Sequence, residues 1–188
     1  TLNTLLFDDE LADAERIARQ VVEAGADALI VQDMAYLEME LEGVELHAST
    51  QTFNASPEKA AFLADCGFSR VILERNLSLE EIRRIRAATD VELECFVHGA
   101  ICVCYSGRCY MSRTMSPRSG NRGDCMQACR LPYDLLDAAG NVLMAGKHLL
   151  SVRDMDLSGR LGDLLDAGVT SFKIEGRLKD EAYVRNVV

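Results

Sequence analysis

The sequence predicts an α/β fold of parallel β/α units, resembling a TIM barrel that is incomplete and carries a cysteine-rich insert. Three observations lead there. Short apolar runs alternate with amphipathic, helix-like runs along both flanks of the chain. Three segments, VVEAGADALIVQD, FLADCGFSRVILER and LLDAGVTSFKIEGR, share one plan of helix end, glycine, three residues and apolar strand. The right-handed crossover rule then leaves an open doubly wound sheet or a barrel. The barrel is favoured, as an incomplete one, because a full barrel takes about 250 residues and this chain has 188.

The strands are expected at residues 4–7, 28–32, 45–49, 70–73, 92–97 and 171–174. The first helix follows Asp8 and Asp9 and turns Leu11, Ala14, Ile17, Ala18, Val21 and Val22 to one face. A second opens on Ser56-Pro57, a cap followed by proline in the first turn. A third opens on Ser78-Leu79-Glu80-Glu81, a capping box. Residues 99–131 lose all periodicity and form a long insert, an ordered loop whose length implies a function or an internal staple. Residues 132–146 read as a hairpin turning at Gly140-Asn141. The whole of residues 1–188 reads as a single catalytic domain fragment of a longer protein.

Composition narrows the partners. No run of 18 apolar residues is present, so a membrane span is not expected. Seven cysteines with no secretory leader point to a reducing, cytoplasmic setting with free or metal-bound thiols. The net charge of −10 argues against a nucleic-acid-binding surface spread over the whole molecule. Its one basic island is the insert, where Arg108, Arg113, Arg118, Arg122 and Arg130 face a single acid, Asp124.

Chemistry concentrates in the same place. Cys102, Cys109, Cys125 and Cys129 fall within 28 residues. Four soft thiolates in a polar, arginine-rich loop favour a shared metal centre over four inert core thiols. Six residues between the first pair are wide for zinc, so iron–sulfur ranks ahead of it. A helix around Met126 would set Cys125 and Cys129 one turn apart on one face. Cys104 is a possible substitute for Cys102, and Cys66 and Cys95 read as core. Polar residues collect at the expected strand ends, where α/β folds bind ligands. His98, Glu74, Lys173 and Glu175 are candidate catalytic residues, and Gln51, Arg108, Arg113 and Arg177 candidate substrate-binding ones. Lys173 and Glu175 share a strand face and are placed to pair with each other.

The run Glu94-Cys95-Phe96-Val97-His98-Gly99-Ala100-Ile101-Cys102, followed by Gly107, Cys109, Met111 and Ser112, resembles the signature of the collagenase-like peptidase family U32. HASTQ at 47–51, SVRDMDL at 151–157 and FKIEGR at 172–177 extend the likeness over nearly the whole chain. The resemblance implies a four-iron–four-sulfur cluster on Cys102, Cys109, Cys125 and Cys129. It also implies oxygen-independent hydroxylation linked to prephenate, acting on a base of tRNA or rRNA or on a small aromatic quinone precursor. The family label implies instead a peptidase acting on peptides. Neither Gly-x-Ser-x-Gly nor His-Glu-x-x-His occurs here, and only a Cys–His pair such as His98 with Cys102 or Cys104 would serve. A zinc-stapled, non-catalytic binding module is the third expectation.

Overall fold

The computed structural model describes residues 1–176 and 179–188. Parallel strands β1 (Ala28–Val31), β2 (Glu45–Ala48), β3 (Arg70–Ile72) and β4 (Glu92–Gly99) lie side by side in chain order. Later in the chain come an antiparallel hairpin, β5 (Tyr133–Leu136) and β6 (Val142–Lys147), then β7 (Met155–Asp156) and β8 (Ser171–Glu175). Strand β8 joins β4 in parallel, and β7 pairs antiparallel with the end of β4 at His98 and Gly99. The sheet curls into a half-barrel, the incomplete form expected.

Helix α1 (Leu11–Glu23) precedes β1, a 3₁₀ turn (Met34–Leu37) joins β1 to β2, and α2 (Pro57–Asp65) and α3 (Leu79–Ala88) link β2 to β3 and β3 to β4. Helix α4 (Met111–Met115) is a short turn within the insert, α5 (Leu161–Asp166) precedes β8, and α6 (Glu181–Val187) ends the chain. Their starts form as read. The Ser56 hydroxyl accepts from the Lys59 amide, and Ser78 with Glu81 closes both halves of a capping box. Gly25, Gly67 and Gly168 are all left-handed just past α1, α2 and α5, which lets each helix stop and the chain turn into or toward a strand.

Alternation sorts the strand residues onto two faces. Leu29, Val31, Ala48, Val71, Leu93, Cys95 and Val97 belong to the buried core, together with Ala18, Leu63, Ile85 and Leu164 from the helices. The opposite, concave face carries Arg70, Glu94, Phe96 and Lys173.

Three local expectations change. Residues 4–7 form no strand: only Leu2 bridges to Val31, and the Leu6 amide donates to the Asp33 carboxylate at 2.8 Å. That side-chain bond replaces a ladder bond and leaves Leu5 and Phe7 exposed. The hairpin turns over Asp137–Asn141, because the Asp137 carboxylate accepts from the Ala139 and Asn141 amides and from the Asn141 side chain. Around Met126 there is no α-helix. Gln127 is left-handed (φ 57°), and a 3₁₀ turn, Ala128–Arg130, presents Cys129.

Candidate active site

The insert is seated on the strand rim by the buried carboxylate of Glu74, two residues beyond β3. Its Oε2 accepts from the Ser106 amide (3.1 Å), and its Oε1 from the Ser106 hydroxyl (3.2 Å). Thr50 also donates to that hydroxyl at 3.3 Å. Next to this anchor, Gly107 presses on the carbonyl of Gln51: a Cβ there would sit 2.0 Å from Gln51 O, and the backbone is left-handed besides. Only glycine allows that contact. Within the insert, Asn121 accepts from the Cys109 amide (3.0 Å) and the Ser112 hydroxyl from the Met126 amide (3.1 Å). Both acceptor residues are buried, so the loop has a small polar core of its own.

These anchors gather the thiols into one neighbourhood. Burial raises the Cys102 thiol pKa; Arg75 opposes that, and the nearby thiols Cys125 and Cys129 raise it further. Cys129 is raised by burial and then, against the lowering effect of Arg130, by Cys125 and Cys109. The electrostatic contacts thus link all four residues. Cys104 lies against Cys109. Among the described residues, no three His, Cys, Asp or Glu side chains already stand close enough to grip a metal ion. The donor set still suits a soft centre. The Gln127 amide points at Cys125 Sγ (3.3 Å) and Arg75 Nη1 at Cys102 Sγ (3.9 Å), the kind of N–H donors that stabilise sulfur-bound clusters.

Arg75 stands at the middle of the site, although the sequence alone does not single it out. Its guanidinium lies 3.9 Å from the Phe96 ring centroid. Nη1 donates to the Ser106 hydroxyl (3.2 Å) as well as reaching Cys102, and Nη2 approaches Glu175 Oε2 at 3.6 Å. Its Nε is buried without a hydrogen-bond partner among the described residues. The available signal was its place, directly after an apolar strand and beside Glu74.

The remaining candidates fall in two groups. Lys173 Nζ meets Glu94 Oε1 at 3.1 Å, not Glu175, and the buried Glu94 also accepts from Ser171 at 2.8 Å. His98 Nδ1 lies 2.6 Å from the Tyr183 hydroxyl of α6, and its Nε2 is 3.9 Å from Asp156 on β7. The Asp156 carboxyl is held below its usual value, first by hydrogen bonds from Ser158 and last by His98. Among the described residues no hydrogen bond or ion pair joins His98 to a cysteine. Arg113 donates to the Pro117 carbonyl, Arg118 to Asp124, Arg122 to Glu10 and Arg130 to the Ile101 and Val152 carbonyls. Most of the basic island therefore staples the insert. Arg108 differs: it lies over the Phe53 ring at 4.0 Å. Arg177 lies outside the described residues.

A β/α half-barrel whose strand rim seats a cysteine-rich insert defines the class of protein. The family model described as Peptidase family U32 matches residues 1–188, and the chain belongs to that family. It is 56% identical to the 23S rRNA 5-hydroxycytidine synthase of Escherichia coli, over all of this chain and 29% of that protein. It is 35% identical to tRNA hydroxylation protein P1 of Bacillus subtilis, over all of this chain and 47% of that protein. To a collagenase of Porphyromonas gingivalis it is 32% identical, over all of this chain and 48% of that protein. The chain thus spans less than half the length of these curated relatives. No helix among the described residues is long and apolar enough to cross a membrane.

Proposed function

We propose that this chain is the catalytic β/α part of an enzyme that hydroxylates a base in RNA, with ribosomal RNA ahead of transfer RNA. The observation that carries this is the 56% identity, across the entire chain, to a 23S rRNA 5-hydroxycytidine synthase. Cys102, Cys109, Cys125 and Cys129 would hold a four-iron–four-sulfur cluster, which when bound supplies one-electron chemistry that side chains lack. Prephenate is the acidic co-substrate expected from the family resemblance.

The chain's own residues do the rest. Glu74 and Ser106 hold the insert in register with the strand ends. Arg75 orients Cys102 and keeps a cation beside the thiols. The Tyr183 hydroxyl lies in hydrogen-bond contact with His98 Nδ1 at 2.6 Å, which gives this pair the reach of a proton donor or acceptor at the rim. Glu94 holds the Lys173 ammonium against the concave face, where Phe96 lies 5.7 Å from it.

A peptidase is the second reading, favoured by the collagenase relative. Its dyad would need a cysteine beside His98, whereas Tyr183 and Asp156 occupy that residue.

The test is nucleoside mass spectrometry of 23S rRNA and tRNA from a deletion strain. We expect 5-hydroxycytidine to vanish from the rRNA, to return with the wild-type gene and to stay absent with Cys102→Ser. The same substitution at any of the four thiols is expected to abolish iron and sulfide loading after anaerobic reconstitution, while Cys104→Ser retains it. Unchanged nucleosides in both RNAs would overturn the assignment. A colourless, zinc-loaded protein would point to the structural staple.

A further inference from the structure

Beside the thiol insert, at the carboxyl ends of β1 and β2, lies a depression of about 280 Å³. Its volume falls just under the roughly 300 Å³ at which drug-sized sites begin, which suits a single ring system. Gln32, Phe53, Lys59, Gly107 and Arg108 help to line it, and among the described residues no carboxylate does, although the chain carries a net charge of −10. An acid-free hollow with two cations in so acidic a protein points to an anionic ligand.

Its aromatic side is built deliberately. Phe53 takes a left-handed backbone (φ 59°), a costly conformation for a bulky residue. It is held there by its neighbours. Asn54, fully buried, donates to the carbonyls of Ser49 (2.9 Å) and Ile72 (2.8 Å), and Thr52 donates to the Ser49 carbonyl at 2.8 Å. Arg108 lies over the Phe53 ring at 4.0 Å, and Tyr105, 57% exposed, meets the ring edge-on at 5.3 Å. The guanidinium plane and the exposed tyrosine are surfaces on which unpaired bases stack. Gln32 closes the inner wall: its Nε2 reaches the Gln51 carbonyl at 3.5 Å, and its buried Oε1 has no donor among the described residues.

We infer that this hollow is a nucleotide subsite for single-stranded RNA, the base stacking against Arg108 and Tyr105 over Phe53 and a phosphate meeting Lys59. The inference deepens the proposed function and rests on it, since it names where the strand is held beside the thiols.

The test is fluorescence anisotropy of the intact protein with a labelled oligocytidine strand, a blunt RNA duplex and free cytidine monophosphate as competitor. We expect the single strand to bind, the duplex to bind far more weakly and the monophosphate to compete poorly. Phe53→Leu is expected to weaken strand binding on the order of tenfold, with the salt dependence unchanged. Arg108→Lys, which keeps charge but loses the plane, is expected to act the same way. Lys59→Gln is expected to reduce the slope of log affinity against log salt by about 0.7, one phosphate contact on a single strand. Circular dichroism melts check that each variant folds. Wild-type affinity and slope in all three variants would overturn the subsite, and so would a monophosphate that competes as well as the strand. If hydroxycytidine still forms in cells in that case, the proposed function stands without the subsite. A wild-type protein that neither binds the strand nor restores hydroxycytidine would overturn both.

Discussion

Arg75 and Ser106 show how few side chains hold the site together. One guanidinium stacks on Phe96, reaches Cys102 and approaches Glu175, while one hydroxyl meets Glu74, Thr50 and Arg75. Ser106 is 5% exposed, so its partners have no water to turn to. Ser106→Ala is therefore expected to cost about 1–3 kcal/mol, measured by urea unfolding, because it leaves buried polar partners unmatched. Cys95 offers a pH signature. Burial in β4, with a smaller effect from Glu94, pushes its thiol from 9.0 to about 12. The folded state therefore disfavours the thiolate. Stability is unaffected below pH 9 and falls between about 9 and 12, as the unfolded chain ionises first. Urea midpoints at pH 8, 10 and 11 are expected to fall more steeply in the wild type than in Cys95→Ala.

Elements whose signals are local were legible in the sequence, and those decided by distant partners were not. The caps at Ser56 and Ser78 and the glycines closing α1, α2 and α5 depend on neighbours a few residues away, and they form as read. Residues 4–7 look like a strand by composition, yet Asp33, 27 residues on from Leu6, takes the amide that a ladder would need. The four thiols could be named from their types and crowding. Their route could not, because it runs through the left-handed Gln127 instead of a helix. Arg75 went unread since its role exists only once Ser106 and Cys102 have docked against it. Docking itself depends on Gly107. Gly107→Ala is expected to speed hydrogen exchange across residues 99–131 and leave β1–β4 protected, because the methyl would collide with Gln51 O.

Across the whole molecule, charge is arranged by pairing rather than by broad surfaces. The insert supplies five of the chain's arginines, but Arg118 and Arg122 are matched to carboxylates, and Arg113 and Arg130 to carbonyls. What the basic island contributes to the surroundings is consequently local, at Arg108 beside Lys59. The chain spans 29% to 48% of the length of the relatives described above. The twisted backbone at Phe53 has one consequence for anyone engineering this protein. Glycine would relax that turn without steric conflict, but it would forfeit the ring's packing on Arg108 and Tyr105. The same swap strips away the platform beneath Arg108, so at the proposed subsite the Phe53→Gly protein should hold single-stranded RNA more weakly.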